Sequence, residues 1–147
     1  MSGETSLRTL IKTMNPQLDD RIYAFAVIGV GDDIPGEVDA LMTFQEAEGV
    51  TIIAPQAALE AAGLEPSFIC QRIVLSVHSA LEAVGLTAAV SSALADIGIS
   101  ANIVAAAFHD HLFVPKADAE RALSALKALS AGAAEPLTAT ETESSRD

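Results

Sequence analysis

The sequence predicts an α+β protein of two small sandwich-like units packed together, and three observations carry that prediction. Short β-branched segments alternate with Ala- and Leu-rich segments of helical period. A strand–proline–helix junction, Thr51-Ile52-Ile53-Ala54-Pro55, recurs 60 residues on as His111-Leu112-Phe113-Val114-Pro115. A fixed offset of this kind reads as a diverged internal repeat. Finally, 147 residues, 50% of them hydrophobic, suffice for one compact domain or two small units sharing a core. Aromatic residues make up only 4%, so the core is expected to pack small side chains closely.

The elements follow in order. Leu7, Leu10, Ile11 and Met14 fall at i, i+3, i+4 and i+7, an amphipathic helix with Ser6 at its N-cap and Asn15-Pro16 as its stop. Ile22 to Ile28 reads as a strand, and Gly29 to Asp39, rich in Gly, Asp and Pro, as a loop. Ala40 to Gln45 and Val50 to Ala54 read as strands turning at Glu46-Ala47-Glu48-Gly49. Pro55 suits a first helical turn, and Gln56 to Ala62 is a short helix ended by Gly63. Gln71 to Val77 is a strand with Ile73, Leu75 and Val77 on one face. Leu86 to Ile97 is a helix with the stripe Leu86, Val90, Ala93, Leu94 and Ile97, capped by Gly98. Ile99 to Ala105 and Phe108 to Val114 are strands, and Ala117 to Leu129 is a helix. After Gly132 the Thr/Glu/Ser-rich tail is too poor in apolar groups to be expected to order itself.

The second half therefore reads β-α-β-β-α. A closing strand would complete βαββαβ, the ferredoxin-like sandwich. No good strand follows Leu129. The long segment Phe68 to Val77 is a candidate to close the first unit and open the second. Expected boundaries are 1–66 for a first unit lacking its crossover helix, 67–131 for a regular second unit, and 132–147 for an acidic tail. The helix at Leu7 to Met14 is expected to cover the gap left by the missing crossover helix.

Charge narrows the partners. The net charge is −12, with 11 acids against 3 bases in residues 1–66 but 5 against 4 in residues 67–131. Nucleic acid is not expected, because phosphate binding needs clustered Lys and Arg. The nearly neutral second half is the better place for a buried interface. No apolar run approaches the roughly 18 residues of a membrane span, and Met1 to Thr5 does not read as a leader. A single cysteine, Cys70, fits a reducing compartment. The expected location is the cytoplasm.

The most informative stretch is Val77-His78-Ser79-Ala80-Leu81-Glu82-Ala83-Val84-Gly85-Leu86-Thr87. A strand–loop–helix junction of small residues exposes free N–H groups at a helix N-terminus, suited to a carboxylate. From this loop through the helix to Ile97, the turn Gly98 to Ile103, and the strand ending Leu112-Phe113-Val114-Pro115, the second half resembles an ACT domain. That family is a small ferredoxin-like module that senses amino acids in regulated metabolic enzymes. With Phe44-Gln45-Glu46-Ala47-Glu48-Gly49 and His109-Asp110-His111 added, residues 3–130 resemble small free-standing bacterial proteins with two tandem ACT-like units. Val84-Gly85 stands where ACT units of regulated enzymes often carry Pro-Gly. No catalytic domain is expected beside these units, so a regulated enzyme is expected to be a separate chain.

The resemblance implies a ligand between two units, against the first loop of one and the second strand of its neighbour. Mapped here, the implied contacts are His78, Ser79, Leu81, Glu82, Ala83, Val84, Gly85, Leu86 and Thr87 on one wall and Asn102 and Ile103 on the other. N–H groups near Gly85 and Leu86 would hold a carboxylate, Glu82 an ammonium, and Asn102 either. Expected are a non-catalytic regulatory protein without a cofactor, an amino acid or similar metabolite as ligand, and a homodimer. A ligand-free dimerisation module is the first alternative.

His109 and His111 share a face of a strand, with Asp110 on the other, and His78 or Cys70 would make a three-ligand metal site. A small metal-dependent enzyme using His78, His109 and His111 is therefore the second alternative. The spacing alone does not define a zinc site, and packing on an open sheet face beside Phe113 is the preferred reading. Such histidines would still titrate near neutrality. Ser76, Ser79 and His78 form no nucleophile elbow. Asp32-Asp33 with Glu37 and Asp39 lack EF-hand spacing and read as a solvated loop. Gly29-Val30-Gly31 lacks the third glycine of a dinucleotide loop. Cys70 reads as a buried small hydrophobe.

Overall fold

A computed structural model describes residues 6–76 and 84–134. Helix α1 (Leu7–Thr13) is followed by strands β1 (Pro16–Ile28), β2 (Met42–Glu46) and β3 (Gly49–Pro55), helix α2 (Gln56–Ala61) and strand β4 (Ser67–Leu75). Helix α3 (Leu86–Asp96), strands β5 (Asn102–Ala105) and β6 (Asp110–Pro115), a 3₁₀ turn (Lys116–Asp118) and helix α4 (Ala119–Ala134) complete the order. The strands form a single antiparallel sheet in the order β2-β3-β1-β4-β6-β5.

That order shows how each incomplete unit is closed. A ferredoxin-like unit needs a fourth strand beside its first. β4 pairs with β1 on one side and β6 on the other, so each unit's first strand serves as the other's last. The centre of the sheet is the row Pro55–Tyr23–Cys70–Pro115, in which Tyr23 and Cys70 face each other. The two prolines have matching backbones, φ −55° and ψ 131° at Pro55 and φ −53° and ψ 137° at Pro115. Both sit in the last strand position as the helix cap rather than inside the first turn.

Three cores follow from strand alternation. On the helical face, Ile73, Leu75, Leu112 and Val114 pack against Leu10 of α1 and its C-cap Met14, Leu86, Val90 and Leu94 of α3, and Ala122 and Leu126 of α4. α1 therefore docks on the second unit instead of covering the first unit's gap. It is tied there by Arg8 Nε donating to the Ala133 carbonyl (3.1 Å) and Ser130 Oγ donating to the Lys12 carbonyl (3.0 Å). The 29–41 loop covers the gap with its own apolar residues. Val38, Ile34 and Ala40 join Ala24, Ala26, Ile28, Ile52, Ala54 and Leu59 in the second core.

The third core lies on the face that none of the described helices covers, around Tyr23, Ile53, Cys70 and Phe113. All four are buried. Met42 from one edge strand and Val104 from the other pack on this same cluster. In a flat sheet those edges would lie about 24 Å apart, five strand spacings. The sheet must therefore curl, with its helix-free face concave. Register shifts in the β1–β4 ladder, between Leu18 and Ile22 and between Tyr23 and Phe25, are where that bending is accommodated.

Several element boundaries differ from expectation; β4, for one, begins at Ser67 rather than Gln71. β1 begins at Pro16 rather than Ile22, because Pro16–Leu18 pair with β4 and the polar Asp19-Asp20-Arg21 sit at the register shift. β5 begins at Asn102 rather than Ile99, because Ile99 folds back onto α3, its N–H donating to the Leu94 carbonyl, and is buried. α4 runs through Gly132 to Ala134. The acidic tail from 135 on lies outside the described residues, as do 77–83 of the opening loop.

Candidate functional site

The first implied wall begins where α3 begins. Gly85 is its N-cap with φ 102°, a conformation that glycine adopts freely and L side chains rarely do. It supplies no side chain to cap Leu86, Thr87 and Ala88, and the first turn carries no acidic residue. Among the described residues, the positive end of this 11-residue helix thus has no carboxylate of its own. Val84 beside it is 84% exposed, and Thr87 is exposed, while Leu86 points into the core. Behind Gly85, a β-carbon would meet Leu7 Cδ2 of α1 at 3.1 Å. His78, Ser79, Leu81, Glu82 and Ala83 lie outside the described residues.

The second implied wall is separate within one chain. Asn102 is exposed on edge strand β5 and pairs with Phe113, which puts it on the concave face. Ile103 packs with the helical-face core. Gly85 belongs to a helix on that helical side, so Gly85 and the Asn102 side chain lie on opposite faces of the sheet. Only a second molecule can bring Asn102 of β5 to the end of α3. Ile103 contributes packing rather than an open contact surface.

The histidines are divided between a loop and a strand. His111 is in β6, on the concave face with Phe113; His109 precedes β6, its carbonyl accepting from the Ala106 N–H. The Nδ1 atoms of both are buried without a hydrogen-bond partner among the described residues. Among those residues no group of three His, Cys, Asp or Glu side chains converges as metal ligands; His78 lies outside them. Burial, then the charges of Arg72 and His109, hold the His111 pKa below 6.5. Asp110 is buried, and burial raises its pKa against the opposing pull of His109. Cys70 is fully buried, its thiol donating to the Tyr23 carbonyl (3.5 Å), and burial pushes its pKa up to about 11.

One cluster was not singled out from sequence. Asp19 on β1 accepts from Arg72 Nη2 (2.9 Å), Arg21 Nη2 (2.9 Å) and Tyr23 Oη (2.9 Å). Burial alone would raise the Asp19 pKa, but these bonds, Arg21's foremost, outweigh it and hold the carboxyl well below its usual range. Arg72 and Arg21 both lie over the Tyr23 ring, 5.8 and 5.5 Å from its centroid. The available signal was Arg72 itself, a lone cation between Cys70 and Ile73 in a run otherwise apolar or neutral.

Family comparison agrees with this architecture. ACT-domain models match residues 2–71 and residues 69–128 in tandem. This chain belongs to the ACT domain family. A solved protein of unknown function from Vibrio cholerae, described as a possible transport protein, is 40% identical with a TM-score of 0.75; the match covers 86% of this chain and 97% of that one. A protein from Agrobacterium tumefaciens is 18% identical with a TM-score of 0.65, covering 78% and 87%. The ligand-free regulatory subunit of aspartate kinase from Thermus thermophilus is 17% identical with a TM-score of 0.58, covering 80% and 97%. The last two share the fold. No functionally curated protein matches the sequence significantly.

Proposed function

We propose that this protein is a non-catalytic ACT-type regulatory protein that binds an amino acid or similar small metabolite at the start of α3. The observation that carries the reading is the start of α3 at Gly85, which no side chain among the described residues caps, in a unit of a family that senses amino acids. Backbone N–H groups of Leu86, Thr87 and Ala88 would hold the carboxylate. Because Asn102 lies on the far face of its own sheet, its contribution requires a neighbouring subunit, so the ligand site is proposed at a subunit interface of a homodimer. A ligand touching two subunits favours the arrangement in which both reach it, and that population shift is the signal. The fold shared with a regulatory subunit of aspartate kinase supports an effect exerted on a separate enzyme chain.

A thermal-shift screen of the common amino acids tests this. A ligand at 100 times its dissociation constant stabilises by about 2.7 kcal/mol. Gly85→Val is a poor control, because φ 102° and the Leu7 contact would strain any β-carbon there. Thr87→Asp is better: Thr87 is exposed, and a carboxylate in the first turn suits the helix while competing for its N–H groups. A stabilising amino acid whose effect is weakened in Thr87→Asp supports the site. No shift with any amino acid at millimolar concentration contradicts it.

One observation favours ligand-free dimerisation as a second reading. Phe44 and Val27 flank Thr51 in one row of the sheet and are 63% and 65% exposed. A dimer that persists in Phe44→Glu would remove this second reading, and one that gains nothing from any amino acid would remove the first.

A further inference from the structure

The concave face encloses a cavity of about 220 Å³ lined by Leu41, Met42, Arg72, Val104, Ala106, His111 and Phe113. We propose that this cavity is a second small-molecule site, independent of the α3 terminus, that takes a small apolar carboxylate lacking an ammonium group. Two side chains give it polarity. Arg72 commits Nη2 to Asp19, yet its Nε is buried without a partner among the described residues, and its side chain is only 16% exposed. His111 Nδ1 is likewise buried and unpartnered. A buried polar group without a partner is costly, of order 1–3 kcal/mol, and both belong to side chains that line the cavity, so an acceptor that either side chain turns to meet would relieve that cost.

The sign of the ligand follows from the charges. The cluster beside the cavity holds two cations, Arg21 and Arg72, against one anion, Asp19. It is locally positive in a chain of net charge −12. His111 feels this: after burial, the Arg72 charge is the next cause that disfavours its protonation. A carboxylate would accept from Arg72 Nε–H and from an Nδ1–H of His111, relieving both. Among the described residues no Asp or Glu lines the cavity, so they offer no carboxylate to an ammonium. Phe113, Val104, Met42 and Leu41 form an apolar wall for the rest of the molecule. The volume is below the usual range of about 300–1,000 Å³ for drug-sized ligands. It suits a branched four- or five-carbon acid or its 2-oxo analogue.

The test is calorimetric titration of the full chain with isovalerate, 2-oxoisovalerate, valine and isovaleramide. Either acid is expected to bind, with valine and the amide at least about tenfold weaker, the cost of losing one charge-assisted hydrogen bond or leaving an ammonium unpaired. Arg72→Lys keeps the charge beside Asp19 but removes Nε–H, and is expected to weaken the acid about tenfold. Val104→Phe, which fills the cavity without touching the cations, should abolish binding while the far-ultraviolet dichroism stays unchanged. Thr87→Asp, which perturbs only the α3 terminus, should leave this binding intact. Three results overturn the proposal: neither acid binding at about 10 mM, a concentration at which even a millimolar site is nearly filled; valine binding as tightly as the acids; or binding that survives Val104→Phe but is lost in Thr87→Asp, which places the acid at the helix terminus.

Discussion

Gly85→Ala is the substitution whose cost the structure defines most directly. At φ 102° the backbone of residue 85 lies where an L side chain is strained, worth about 1–3 kcal/mol. The added methyl would also stand 3.1 Å from Leu7 Cδ2 and 3.4 Å from Cδ1. Leu7 is partly exposed on the first turn of α1 and can yield, so this contact is the smaller part. The total is about 1–3 kcal/mol, and for a domain near this size each kcal/mol lowers Tm by about 2–4 °C. Urea and thermal unfolding followed by circular dichroism measure it. Repeating the substitution in a Leu7→Ala background should recover only a minor share. Stability within about 0.3 kcal/mol of the parent, well under that strain, would refute the backbone assignment at Gly85. Full recovery by Leu7→Ala would instead make the contact the cause.

Leu10→Ala tests the docking of α1 on the second unit: Leu10 is fully buried between α3 and α4, so a loss of about 2–5 kcal/mol is expected in urea unfolding. A loss of a few tenths would mean that α1 is not part of that core. Stability should also fall on mild acidification. The folded-state pKa of His111 lies below 6.5, so between that pKa and 6.5 the unfolded chain binds more protons and stability rises with pH. The contribution is complete above pH 6.5 and is lost as pH falls through the folded value. His111→Phe should flatten this limb of the stability–pH curve, and an unchanged slope would contradict it. Asp110, raised above 3.8 by burial, acts in the opposite sense: its contribution is full below pH 3.8 and lost as pH rises through its folded value. Cys70, buried with its pKa pushed up to about 11, should resist an aromatic disulfide reagent until denaturant opens the sheet. Native-state labelling at the rate of a free thiol would show that the concave face opens readily.

Much of the fold was legible because its local signals are short-range. The Pro55 and Pro115 junctions, the Gly85 and Gly98 ends of α3, and the Leu7–Met14 stripe are all set by residues within a few positions. The dual role of β4 was also legible, because Phe68 to Val77 was too long for one duty. Placement was harder. Nothing in Leu7–Met14 says which unit it covers, since an apolar stripe fits any apolar surface. The 29–41 loop concealed its role because Ile34, Val38 and Ala40 are scattered among Gly, Pro and Asp. The Asp19–Arg21–Arg72 cluster joins residues 53 positions apart across the β1–β4 ladder, and its register is set by the shift between Leu18 and Ile22. The curl that creates the concave cavity is a property of the whole sheet, and no segment encodes it alone. The same limit applied to the implied walls. Gly85 and Asn102 are 17 residues apart, and only the sheet's two faces reveal that one chain cannot bring them together.

The proposed site places an amino acid at the start of α3, between two subunits. Amide chemical shifts in ¹⁵N-labelled protein, recorded while the amino acid that stabilises most is titrated in, test it directly. The largest changes are expected on the Gly85 to Ala88 amides, with a second set at Asn102 and an increased dimer fraction by sedimentation. Changes confined to other parts of the sheet, with Gly85 to Ala88 unmoved at saturation, would contradict it.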